Sequence, residues 1–130
     1  MKKICLCCLA LLCLTNLFAQ ETVNYKEKKP YKTWVKMAPK LNDEFFKTPE
    51  AIRIGDNVLL YQQTTGGWPK NIYMPAELTE QELEDVLASK DEVNESTIDN
   101  DATSTEIQYL SRLYLATHIK KYRDLSLIHI

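Results

Sequence analysis

Beyond Cys13 the sequence contains no cysteine. All four, Cys5, Cys7, Cys8 and Cys13, fall in one hydrophobic stretch near the N-terminus. A domain that follows them has no disulfide to rely on and must be held by its core. Glycine is scarce, with three in 130 residues, and two of those are adjacent at Gly66 and Gly67. There is no run of alternating apolar residues strong enough for a sheet of any size, no repeat and no low-complexity block, so the expected class is all-α. An excess of positive charge is missing too. Setting aside Lys2 and Lys3, 14 basic residues face 18 acidic ones, a formal balance of about −4 that argues against nucleic acid as a partner.

The uncharged stretch from Ile4 to Phe18, preceded by Lys2 and Lys3, is short for a membrane span and suits a signal peptide ending at Ala19. This predicts a secreted or periplasmic protein with no membrane attachment after cleavage. The residues before Cys8 and Cys13 are Cys7 and Leu12, not the small residue that lipid modification needs, so a lipoprotein ranks lower. Residues 20–47 mix Lys26, Lys28, Lys29, Lys32 and Lys36 with Tyr25, Tyr31 and Trp34 without clean periodicity. They read as an extended N-terminal segment, either a cationic arm or a solvated stretch whose Trp34 packs on the first helix.

From Thr48 the pattern turns helical. Thr48 can cap, Pro49 suits the first turn, and Ala51, Ile54, Val58 and Tyr61 recur at helical spacing up to about Gln62. Gly66, Gly67 and Pro69 then break the ladder and set Trp68, Lys70 and Asn71 in a turn. Thr79 to Glu82 has the reciprocal capping arrangement before Leu83, Val86 and Leu87. Thr103 to Glu106 repeats it before Ile107, Leu110, Leu113 and Tyr114, and a further helix starts near Lys120.

Two short runs carry the candidate chemistry. Trp68 offers a flat face for a pyranose ring, or else an anchor tucked under its own loop. Lys70 can pair with a sugar carboxylate, and Asn71 can reach hydroxyls or close the turn on its own backbone. Asp99 and Asn100, with Asp101, supply hard oxygen ligands of the kind Ca2+ takes. The alternative for this acidic run is helix capping. Ser104 stands where an EF-hand needs glycine, which excludes that motif. His118 and His129, without a cysteine or a carboxylate pattern beside them, do not make a zinc site.

In order along the chain, Trp34, Asn42-Asp43-Glu44-Phe45-Phe46, Glu50-Ala51-Ile52-Arg53-Ile54, Asp56 to Gln62, Gly66 to Asn71, Ser96 to Asn100, Ile107 to Leu110 and Tyr122-Arg123-Asp124 resemble the N-terminal part of a family 10 polysaccharide lyase, a calcium-dependent pectate lyase. The resemblance implies that residues 48–124 begin a catalytic domain, the truncated first portion of a toroid of paired helices. It implies Ca2+ as cofactor and the acidic polysaccharide polygalacturonate as substrate, cleaved by β-elimination. It places Trp68, Lys70 and Asn71 in the substrate-cleft loop and Asp99 and Asn100 in the metal motif. The base, an arginine in the family, is expected beyond the C-terminus, so the catalytic residue of this chain stays unknown. Arg53, Arg112 and Arg123 read as surface or ion-pairing residues.

Three departures from the family pattern stand out: Asp101 and His118 where it usually has glycine, and Tyr73 where an acidic residue is common. After Asp124 the resemblance fades, and residues 125–130 read as a foreign or frame-shifted tail. The chain is thus expected to be an incomplete lyase without activity of its own. The alternative is a non-catalytic helical module that binds acidic polysaccharide. Both readings require the Trp68–Asn71 turn and the Asp99 loop to share one groove.

Overall fold

A computed structural model describes residues 28–92 and 95–124. The expected signal peptide and the expected foreign tail lie outside the described residues. Helices α1 (Lys28–Met37), α2 (Pro49–Tyr61), α3 (Glu80–Ala88), α4 (Ser104–Thr117) and α5 (Lys120–Asp124) are joined by loops carrying short 3-10 turns at Ala38–Lys40, Phe45–Lys47 and Asp99–Asp101. Among the described residues no strand forms. The one strand-like pairing there is a bridge between Pro69 and Ser96. The all-α class is therefore the fold class of the protein.

Local chemistry sets the helix ends where the sequence places them. The Thr48 hydroxyl accepts from the Ala51 amide at 3.2 Å with Pro49 in the first turn, which starts α2. At α3 both halves of the capping box are made: Thr79 Oγ1 accepts the Glu82 amide at 3.3 Å, and Glu82 Oε2 accepts the Thr79 amide at 2.8 Å.

The N-terminal segment departs from expectation. Residues from Lys28 onward are not extended: they form α1, because Tyr31, Trp34 and Ala38 recur on one helical face and all three are buried. The interspersed lysines had obscured that stripe. Trp34 packs on α4, with its ring centroid 5.2 Å from that of Tyr109, and Phe46 closes on the other side of Tyr109 at 5.1 Å. Such tilted aromatic contacts add to the area they bury.

Helices α2 and α4 form the centre. Ala51, Ile54 and Val58 of α2 and Tyr109, Leu110 and Leu113 of α4 are all buried, and Tyr109 Oη donates to the Ala51 carbonyl at 2.9 Å. Tyr122 of α5 is fully buried as well, with its phenol donating to Asp56 Oδ1 at 2.7 Å. Helix α3 lies against α2 through Val86. This frame leaves two long loops, one after α2 and one before α4, free to meet.

Candidate functional site

The loops meet through backbone and hydroxyl contacts. The Thr97 amide donates to the Trp68 carbonyl at 3.1 Å, and the Trp68 amide donates to Thr103 Oγ1 at 3.0 Å. Thr103 Oγ1 in turn donates to the Thr97 carbonyl at 2.8 Å. One hydroxyl thereby staples the turn to the acid loop. The glycine pair is required by this closeness. Gly66 sits at φ 86°, and a Cβ on Gly67 would come within 2.9 Å of Ser96 Cβ and 3.3 Å of Thr103 Oγ1. Gln62 and Gln63 are buried beneath, with Gln62 Nε2 donating to the Gly66 carbonyl at 2.8 Å.

At the surface, Lys70 Nζ donates to Asp99 Oδ2 at 2.8 Å, with both side chains about half exposed. The Lys70 ammonium holds the Asp99 carboxyl below the usual carboxylate range. Asn71 is half-buried in the left-handed conformation, φ 66°, the state in which asparagine closes turns. The turn and the acid loop thus share one side of the molecule.

Trp68 does not behave as an exposed plate. It is 0 % exposed, and its indole Nε1 donates to the Val58 carbonyl of α2 at 2.6 Å. A large apolar ring next to Pro69 gains more from filling the space over α2 than from water. Its part in the site is to anchor the turn that carries Lys70, so the expectation of an indole stacking on sugar is corrected.

The acid loop is strained. Asn100 (φ 56°, ψ 35°) is left-handed, and Asp101 (φ 61°) and Thr103 (φ 64°, ψ −49°) also have positive φ, a region that side-chain-bearing residues rarely adopt. For the β-branched Thr103 it is a genuine outlier. Asp101 and His118 (φ 56°) likewise hold the positive φ that glycine adopts most easily.

The second expected capping box is not made. Thr103 gives α4 no side-chain cap, because its hydroxyl is spent on Trp68 and Thr97. Glu106 turns inward instead: it is 1 % exposed, and its Oε1 accepts from Trp34 Nε1 at 3.1 Å. Its Oε2 has no hydrogen-bond partner among the described residues. Burial pushes the carboxyl up to about 7, against the opposing pull of the Trp34 indole and of the amides of Glu106 and Thr103.

Sequence reasoning had missed Tyr31, whose phenol donates to the Asn100 carbonyl. Its signal was the three-residue spacing to Trp34.

Asp99 and Asn100 are exposed oxygen donors, which suits a hard cation in kind. In number they fall short of the six to eight oxygens calcium takes, and no group of three His, Cys, Asp or Glu side chains converges to hold a metal among the described residues. These residues fit calcium only as part of a ligand set, with Lys70 as a competitor for the Asp99 carboxylate.

The fold and this junction define an all-helical protein with a cation and a carboxylate side by side at the mouth of a helix. Comparison with known families carries this further. The family described as pectic acid lyase matches residues 62–128, more than half of the 130 residues and a span that includes the turn, the acid loop, α4 and α5. The chain belongs to that family. No curated protein and no solved structure matches it. No described helix is long and apolar enough to cross a membrane.

Proposed function

We propose that this chain is the front portion of a secreted or periplasmic pectate lyase, the opening helices of a paired-helix toroid, acting on polygalacturonate by calcium-assisted β-elimination. The observation that carries the proposal is the 2.8 Å contact between Lys70 and Asp99, which joins the two candidate motifs at an exposed surface. Lys70 is placed to exchange its Asp99 partner for a uronate carboxylate, and Asn71 beside it offers donors and an acceptor to neighbouring hydroxyls.

The reaction removes the C5 proton of a galacturonate, forms the C4–C5 double bond and expels the C4 oxygen. Proton loss beside a carboxylate builds a second negative charge, so cationic groups on that carboxylate lower the barrier. Asp99 and Asn100 would be two of the calcium ligands, and the ion would supply neutralisation of the substrate carboxylate. The chain's own cation for that task is Lys70.

No described arginine faces this junction as a base. Arg53 is engaged by Glu50 at 2.6 and 2.8 Å and by the Pro75 carbonyl at 2.8 Å. Arg112 donates to the Leu41 carbonyl at 2.6 Å and lies over the Phe46 ring. Arg123 pairs with Asp124. Residues 20–130 are accordingly proposed to bind substrate without cleaving it.

The test is to titrate that polypeptide with polygalacturonate, with calcium and with chelator, while following absorbance of unsaturated product. The expected outcome is calcium-dependent binding without product. Product would overturn the missing base, and absence of binding in calcium would overturn the site.

A further inference from the structure

Helix α1 lies outside the family-matched span, yet its Tyr31 reaches the acid loop. Three of the five residues from Asp99 to Thr103 have positive φ and none of those is glycine. A loop of that kind persists only when its surroundings over-determine it. Besides the Lys70 contact with Asp99 and the local bonds to Thr97, two ties from distant residues act on its positive-φ positions. One is the Thr103 hydroxyl bound to the Trp68 amide, which comes from within the matched span. The other is the Tyr31 phenol on the Asn100 carbonyl, 69 residues away in sequence.

Tyr31 is itself rigidly placed. It is 3 % exposed, and Trp34, one turn further on the same face, is locked by its indole hydrogen bond to Glu106 and its packing on Tyr109. The phenol is the donor of this bond, because a carbonyl oxygen can only accept. A carbonyl fixed at Asn100 constrains the peptide plane that follows Asn100, one residue from the Asp99 carboxylate that partners Lys70.

We propose that Tyr31 is a positioning residue: by holding the Asn100 carbonyl it keeps Asn100 in its left-handed conformation and the acid loop in the shape that presents Asp99 to Lys70 and to ligand. The relevance to ligand rests on the pectate lyase reading, but the conformational effect does not. On this inference α1 is part of the site's machinery and not an appendage to the matched domain.

The experiment follows hydrogen exchange in residues 20–130, comparing the unaltered chain, Tyr31→Phe, Asn100→Gly and the double variant. Removal of the one hydroxyl should speed exchange of the Thr97, Asp99 and Ala102 amides by about threefold to tenfold, with α2 and α4 unchanged. Glycine at position 100 takes the left-handed state without strain, so the double variant should recover loop protection. Unaltered exchange in Tyr31→Phe overturns the proposal.

Should Tyr31→Phe lose protection everywhere, recovery in the double variant still supports it, and failure to recover shows mere packing of α1 and overturns it. Polygalacturonate binding is measured on the same four proteins. Absence of binding by the unaltered chain counts against the substrate reading alone, because the exchange comparison needs no ligand.

Discussion

Trp68 and Lys70 are two residues apart in one turn and belong to different regions of the molecule. Below the turn is a floor in which the indole is sealed against α2 and the backbone is stapled by Thr103. Above it is a rim in which Lys70, Asp99 and Asn100 meet solvent. A motif that reads as one functional unit is therefore split: half of it builds the platform, and half touches whatever binds. Residue type does not decide the division. The aromatic expected at the ligand is in the core because the space over Val58 is apolar and has one carbonyl waiting for an N–H, and no solvated position offers both.

The largest expected effect tests the floor. Trp68→Ala removes a fully buried indole and its hydrogen bond, and should destabilise the chain by about 3–5 kcal/mol, lowering the thermal midpoint by roughly 15 °C or more. Trp68→Phe, which keeps most of the apolar volume, should remain folded and bind polygalacturonate as the unaltered chain does. If instead Trp68→Phe loses binding at unchanged stability, the indole is a ligand contact after all and the division between floor and rim fails.

A smaller effect comes from the other buried group in the floor. Glu106 is held at about 7 against a free value of 4.5, so the folded state binds its proton more tightly than the unfolded state. Below the free value both states are protonated and nothing is lost. As pH rises from there through the folded value, stability falls by up to about 3 kcal/mol. Glu106→Gln, which can still accept from Trp34, should lack that decline. Denaturant titrations at pH 5 and pH 8 give the measurement, and parallel behaviour of the two proteins would show that Glu106 carries no such penalty.

Much of the frame was legible in the sequence. The start of α2 at Pro49 and the capping box at Thr79 follow from short-range chemistry, which decides them in the structure too, and a helix does begin at Lys120. Helix α1 was not read, because five lysines among the aromatics blurred a stripe that only burial reveals. The second capping box was misread for a different reason. Thr103 has the right neighbours to cap α4, but a residue 35 positions away, Trp68, claims its hydroxyl, and no local pattern encodes that competition. The turn and the acid loop were expected to share one groove, and what the structure gives is the contact of Lys70 with Asp99 at the surface. A positive φ at Asp101 is what the resemblance, with glycine expected there, had raised, since glycine preference at one position is a statement about φ.

The smallest expected effect on stability is at the rim, and it sharpens the comparison most. Lys70 and Asp99 are half exposed, so their attraction is screened by water and offset by the entropy of fixing a lysine side chain. Lys70→Ala should leave the thermal midpoint where it is. It should, however, let the Asp99 carboxyl rise toward its ordinary range, since the ammonium is what lowers it, and a carbon-detected NMR titration of the carboxylates would follow that change. Binding of polygalacturonate should weaken in the same variant and lose part of its salt dependence, because a point charge that meets a uronate is removed. A loss of stability comparable to that of Trp68→Ala would place Lys70 in the floor. Unchanged stability with unchanged binding would leave the rim without a ligand, because the residue that joins the two motifs at the surface would then serve neither the fold nor the polysaccharide.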